Sequence, residues 1–219
     1  TANEFYHINS VRGLLKSGEI TEKNIDDMIR PMVATLIRFG LYERFKNGQP
    51  NEDALEAKFP HHEQVSYQTA AEGSILLKNN GILPLNEGQQ VLLVGRWAKT
   101  TPQGGGASRV DGFNCVTPEQ ALRAALRTRV KAVEKPDFIQ LQEADVVVIA
   151  TGTFDSESIE RPFAMEREDE ALVRMACAAN KKVIVLVLSG SGIDMSAWHD
   201  KVSAIIYGWY PGQAGMQAI

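Results

Sequence analysis

Four short apolar runs punctuate the chain beyond residue 90: Val91 to Gly95, Asp145 to Ala150, Val183 to Leu188 and Ser203 to Tyr207. None approaches the roughly 18 apolar residues of a membrane-spanning helix. None alternates with polar residues, as a strand with one wet face would. Continuous Val/Ile/Leu runs of this length mark parallel strands covered on both faces. Helically spaced segments lie between them, Thr117 to Leu126 and Glu166 to Asn180. The first opens on Thr117-Pro118, a capping residue followed by the one residue with no N–H to satisfy. The alternation predicts an α/β fold, a mostly parallel sheet sandwiched by helices with right-handed crossovers.

The first 42 residues carry a different rhythm. Ile25, Met28, Ile29, Met32, Val33 and Leu36 recur at helical spacing. Thr21 is the expected N-cap and Gly40 the expected stop, with Pro31 the discordant residue inside. Residues 43–62, with Asn47-Gly48, Pro50 and Pro60, read as an irregular linker. A further helix is expected from about Glu63 to Asn79. The resulting division is 1–42 helical, 43–62 linker and 63–219 α/β domain. Thr1 in place of Met, and a chain that stops where Gly212 to Ile219 begins to read as a helix, suggest a piece of a longer protein.

Composition narrows the function classes. With 23 basic and 27 acidic residues and a net charge of −4, the chain has no basic excess for nucleic acid or an anionic membrane. Two cysteines, Cys115 and Cys177, set no disulfide framework, and no Cys/His spacing calls for a metal. His61-His62 reads as a solvated pair. In an open α/β sheet the ligand sits beyond the carboxyl ends of the strands, so the segments 96–114, 151–165, 189–198 and 208–215 are where chemistry is expected. Gly104 to Ser108 suits either a phosphate cradle or a plain turn, and lacks both the P-loop and the dinucleotide spacing. The run Asp155-Ser156-Glu157-Ser158-Ile159-Glu160-Arg161 places three carboxylates and an arginine after a buried strand. It reads as a general-acid loop or as a solvated acidic loop with its counter-charge. Trp209-Tyr210 reads as an aromatic platform for a sugar or as core.

Several motifs together, in order, resemble the family 3 glycoside hydrolases of the β-glucosidase type. Ala71 to Asn79 with Leu83-Pro84-Leu85 resembles the entry into the second domain of that family, and Val91 to Gly95 its first strand. Gly105 to Ser108 with Val116-Thr117-Pro118 resembles its glycine-serine loop and following helix. Glu157 to Arg161 is similar to its E-G-x-D-R pattern, with Ser158 in place of glycine and Glu160 in place of aspartate. Gly208 to Gly215 resembles its W-x-P-G-x-x-G signature, and Ser17 to Tyr42 the helix that closes its first domain.

The resemblance implies a (β/α) barrel followed by an α/β sandwich. The chain would hold the helical tail of the barrel domain, the linker and most of the sandwich. It implies a retaining exo-acting β-glycosidase acting on a small β-glycoside or oligosaccharide without cofactor or metal, in a periplasmic or secreted setting. The nucleophile would come from the barrel, outside these residues, and the segment alone would be inactive. Glu157 is the implied general acid/base, with Asp155 and Glu160 as rivals and Arg161 orienting the loop or pairing with Glu160. Gly105, Ser108, Arg109 and Trp209 are the implied substrate-binding residues. The alternative from another class is a non-catalytic α/β module binding a carbohydrate or a nucleotide through the same loops, and a flavodoxin-like or phosphate-binding domain is a third.

Overall fold

The computed structural model describes residues 7–48, 52–126 and 129–219. The chain divides into two compact units, Thr1–Lys58 and Phe59–Ile219. No described helix is long and apolar enough to cross a membrane.

The described part of the first unit is helical: α1 (Ile8–Ser17), α2 (Glu22–Arg38), α3 (Leu41–Lys46) and α4 (Glu52–Glu56). Thr21 caps α2 as expected, its hydroxyl accepting from the Asn24 N–H at 3.4 Å while Asn24 Oδ1 accepts from the Thr21 N–H at 2.9 Å. Gly40 ends α2 with φ 68°, and α2 runs through Pro31. Its apolar stripe is uncovered: Met28, Ile29, Met32, Val33 and Leu36 are all exposed. The linker expected over 43–62 is helical over much of its length, because α3, α4 and the start of α5 (Phe59–Gly73) fall within it. Pro60 is tolerated there because it occupies the first turn, where no helical N–H bond is lost. Positions 49–51, including Pro50, lie outside the described residues.

The second unit is built on a six-stranded sheet: β1 (Ile75–Asn79), β2 (Val91–Val94), β3 (Val130–Val133), β4 (Val146–Thr151), β5 (Val183–Val187) and β6 (Ala204–Tyr207), in the order β1-β6-β5-β4-β2-β3. Every pairing is parallel except that of β1 with β6. The four predicted runs are β2, β4, β5 and β6. Alternate side chains feed two cores, as the two-residue strand period requires. Leu92, Val94, Val147, Ile149, Val185 and Val187 pack with Val173, Ala176 and Trp198 on one face. Val91, Leu93, Val148, Ile184 and Leu186 pack with Ala121 and Met216 on the other. The covering helices are α6 (Pro118–Leu126), α7 (Phe138–Glu143) and α8 (Arg167–Ala179), with one helical turn α9 (Gly212–Gly215). Thr117 caps α6, with Pro118 as its first residue.

Two elements differ from expectation. The helix expected through Asn79 stops at Gly73, where Ser74 turns its hydroxyl back onto the Ala70 carbonyl at 2.7 Å. Ile75–Asn79 instead forms β1, an exposed antiparallel edge whose register shifts between Leu76 and Lys78. Lys78 binds the carbonyls of His199 and Asp200 at 2.8 and 3.1 Å. A bulge and a lysine are the usual protections of an open edge. Val130–Val133 forms β3, whose four residues with a central lysine give too short a run for periodicity to detect.

The order fixes where loops can meet. β3 lies on one side of β2 and β4 on the other, so the chain reverses its direction of winding between β2 and β4. The crevice at such a switch point opens at the carboxyl ends of those strands, and both the glycine loop after β2 and the acidic loop after β4 emerge there.

Candidate functional site

Gly152 takes the chain off β4 into the acidic loop with φ 154°, and a side chain there would collide with the Leu188 carbonyl. The loop can therefore leave the sheet this close to β5 only through glycine. Thr153 and Ser189 are buried, their hydroxyls share a short contact, and each reaches Asp155 Oδ2, at 3.0 and 3.3 Å.

Asp155 is the hub. Its Oδ1 meets Arg161 Nε at 2.5 Å and accepts from the Ser191 hydroxyl at 2.8 Å. Its Oδ2 accepts from the Gly190 N–H at 2.9 Å, and the Tyr210 hydroxyl lies 3.1 Å away. Its backbone is held as well: the N–H donates to the Tyr210 oxygen at 2.7 Å, and the carbonyl accepts from the Gly105 N–H at 2.9 Å. Burial pushes the Asp155 carboxyl up, but the bonds from Arg161, Ser191, Thr153 and Gly190 outweigh it and hold the group well below the usual carboxylate range. Asp155 is thus an ionised group with both oxygens occupied.

Arg161 does not pair with Glu160. It pairs with Asp155, and its remaining N–H groups donate to the Pro162 and Gly192 carbonyls at 2.9 and 3.1 Å and to Ser191 Oγ at 2.7 Å. Its planar fork suits several fixed acceptors at once. Glu160 is exposed and, among the described residues, makes no hydrogen bond or ion pair.

Glu157 stands two residues beyond the hub, exposed. One oxygen accepts weakly from the Ala107 N–H at 3.3 Å, and a Cβ built on Gly106 would lie 3.1 Å from the Glu157 Cβ. The glycine loop and the acidic loop therefore form one structure, tied also by the parallel bridge of Gly105 to Ser156. Ser158 occupies the left-handed region, φ 62°, which accounts for the glycine of the E-G-x-D-R pattern at that place.

The other predicted residues are dispersed around this structure. Gly105 is buried beneath the acidic loop. Ser108 is exposed, its hydroxyl donating to the Gly105 carbonyl at 2.8 Å. Arg109 is exposed and pairs with Asp111 at 3.3 Å. A bond from Gln103, and then Arg109, lowers the Asp111 carboxyl below its ordinary range. Trp209 takes φ 53°, donates its indole N–H to the Gly73 carbonyl at 3.0 Å and leans on Tyr207 with ring centres 4.8 Å apart. Its neighbour Tyr210, rather than Trp209, enters the polar network. The roles of Ser189, Ser191 and Tyr210 have no local sequence signal beyond their place after β5 and β6.

Known proteins resemble this chain in sequence and in fold. The glycosyl hydrolase family 3 C-terminal domain matches residues 74–219. A probable exo-1,4-β-xylosidase of Aspergillus terreus is 27% identical over 98% of this chain and 29% of its own length. An exo-α-(1→6)-L-arabinopyranosidase of Bifidobacterium longum is 28% identical over 94% of this chain and 30% of its own length. The chain thus spans about 30% of the length of the curated relatives it matches. The β-glucosidase of Listeria innocua, solved with isofagomine, shares the fold with a TM-score of 0.83 at 20% identity, covering 96% of this chain and 32% of that one. With that domain matched from β1 through α9, and the loop and turn motifs in their expected places, the chain belongs to glycosyl hydrolase family 3.

Proposed function

We propose that this chain is the acid/base-supplying part of a retaining, exo-acting β-glycosidase that removes terminal sugars by double displacement. The observation that carries the reading is the acidic loop. One carboxylate, Asp155, is consumed in holding the loop, and a second, Glu157, is left exposed two residues on against the glycine loop. A retaining enzyme needs two carboxyl groups about 5 Å apart. In this reading the nucleophile comes from a barrel domain of the same protein. Residues 1–42 close that barrel, 43–62 link, and 63–219 form the sandwich that presents Glu157 to it. The apolar side chains exposed around the loop, Phe154, Ile159 and Phe163, fit a face that such a domain covers.

Protonated Glu157 delivers its proton to the glycosidic oxygen as the nucleophile attacks the anomeric carbon. Its carboxylate then takes a proton from the water that releases the sugar. Asp155 is unsuited to this role, because its proton is already lost and its oxygens are occupied. Glu160 is the remaining rival. Ser108 and Arg109 are the polar groups of the glycine loop open to substrate, Gly105 shapes that loop, and Trp209, in the turn after β6, stays partly exposed. The relatives' names, a xylosidase and an arabinopyranosidase, make aryl β-xylosides probes as appropriate as aryl β-glucosides. A periplasmic or secreted location belongs to the same reading.

The test is Glu157→Ala in the full-length enzyme. Loss of the acid should lower kcat/KM about 10²- to 10⁴-fold for glycosides with poor leaving groups. Dinitrophenyl glycosides, which depart without a proton, should change by less than about tenfold. Equal loss on both removes Glu157 from the role.

A further inference from the structure

Tyr210 meets the glycine loop after β2, the acidic loop after β4 and the loop after β5. Its ring is wedged between two glycines: a Cβ on Gly104 would lie 3.3 Å, and one on Gly190 2.7 Å, from Tyr210 Cε2. Its hydroxyl lies 2.7 Å from the Asp155 N–H nitrogen, 2.9 Å from the Thr153 carbonyl and 3.1 Å from Asp155 Oδ2. The proton count fixes the roles. The Asp155 N–H donates to the phenol oxygen, and the phenol's single proton goes to the Thr153 carbonyl or to Asp155 Oδ2. Burial and the neighbouring Asp155 charge push the phenol up, so it keeps that proton at neutral pH. The turn that delivers the ring is itself pinned. Trp209 is held in left-handed backbone, a conformation that persists only where its surroundings enforce it, and its indole is tied to Gly73.

We infer that Tyr210 is a positioning residue for the general acid: by holding both the backbone and the carboxylate of Asp155 it sets where the carboxyl two residues further on stands. The inference rests on the acid/base reading of the loop. It adds to that reading a dependence on a residue 55 positions away in the chain. Phenylalanine at 210 would fill the same wedge between Gly104 and Gly190 but would leave the Asp155 N–H without its partner. The loop would then keep its place in the fold and lose its fine position, and displacements of about 1 Å cost up to about 100-fold in rate.

The experiment is Tyr210→Phe, alongside Glu157→Gln, in the full-length enzyme, with kcat and KM measured across aryl glycosides of graded leaving group and with melting temperature followed. The expected result is a roughly 10-fold or greater loss of kcat/KM on the poorest leaving groups. On the best leaving groups kcat/KM should change by less than about twofold, with kcat and KM falling together where release of the sugar, which needs the same carboxyl as base, limits turnover, a weaker copy of the Glu157→Gln pattern. Asp155→Asn, which keeps the size and removes the charge, should show the same selectivity. If Glu157→Gln shows the leaving-group effect and Tyr210→Phe does not, the positioning role is overturned while the acid stands. A loss in Tyr210→Phe that is equal on all substrates and follows only the melting temperature overturns it too. If Tyr210→Phe shows the effect and Glu157→Gln does not, the anchor is supported and the acid is another carboxylate of the loop, Glu160. No effect in either overturns both.

Discussion

Ser158 is where residue chemistry and backbone conflict most plainly. A serine at φ 62° bears a steric cost of about 1–2 kcal/mol that glycine escapes. Glycine's extra freedom in the unfolded chain returns part of that difference. Ser158→Gly is therefore expected to raise stability by about 0.5–1 kcal/mol, read from denaturant melts. A less stable variant would mean that the serine side chain contributes something the backbone argument lacks. At the same scale, Asp155 and Glu157 are near neighbours of one chemical kind and opposite circumstance. Several donors keep the first ionised, whereas the second accepts one weak bond from Ala107. Composition and spacing treat the two alike, and only their partners, on other strands, separate them.

At the scale of elements, the end of β2 is tied to the first turn of α8 by Arg96 and Asp169, 2.7 Å apart. Burial raises the Asp169 carboxyl in spite of that arginine. Arg96→Ala would strand a nearly buried carboxylate. The expected cost is about 2–3 kcal/mol at pH 7, at or below the low end for a buried pair because the arginine is partly exposed. The cost should be smaller at a lower pH, since a raised acid takes up its proton earlier as the pH falls and the neutral form needs no counter-charge. Urea melts at both pH values check it, and a cost that does not depend on pH would rule out the charge argument. The elements themselves were unevenly legible. The fully buried strands stood out as apolar runs, as did the capped starts of α2 and α6. The edge strand β1 did not, because Ile75-Leu76-Leu77, beyond the Gly73-Ser74 stop, also fits a continuing helical pattern and becomes a strand only through pairing with β6.

At the scale of the whole molecule, exposed apolar surface is the main feature that calls for a partner. The stripe on α2, with Met28, Met32 and Ile37, and the loop side chains Phe113, Phe154, Ile159 and Phe163 are open to solvent. Surfaces of this kind mark interfaces. Residues 1–219 alone are expected to self-associate, with sedimentation coefficients rising with concentration. Ideal monomeric sedimentation over the micromolar range would show that these side chains need no cover.

The class of fold, the four central strands, the segments beyond their carboxyl ends and the family could all be read from the sequence, because each depends on local patterning: apolar runs, caps, glycine-bearing turns and short motifs. What holds each carboxylate of the acidic loop could not be read that way. Asp155 became an anchor because β5 lies beside β4 and β6 beside β5, and the loops after them deliver Gly190, Ser191 and Tyr210 to it from 35, 36 and 55 residues away. Which strands become neighbours is settled by the packing of the entire sheet, and no pattern within one segment carries that information.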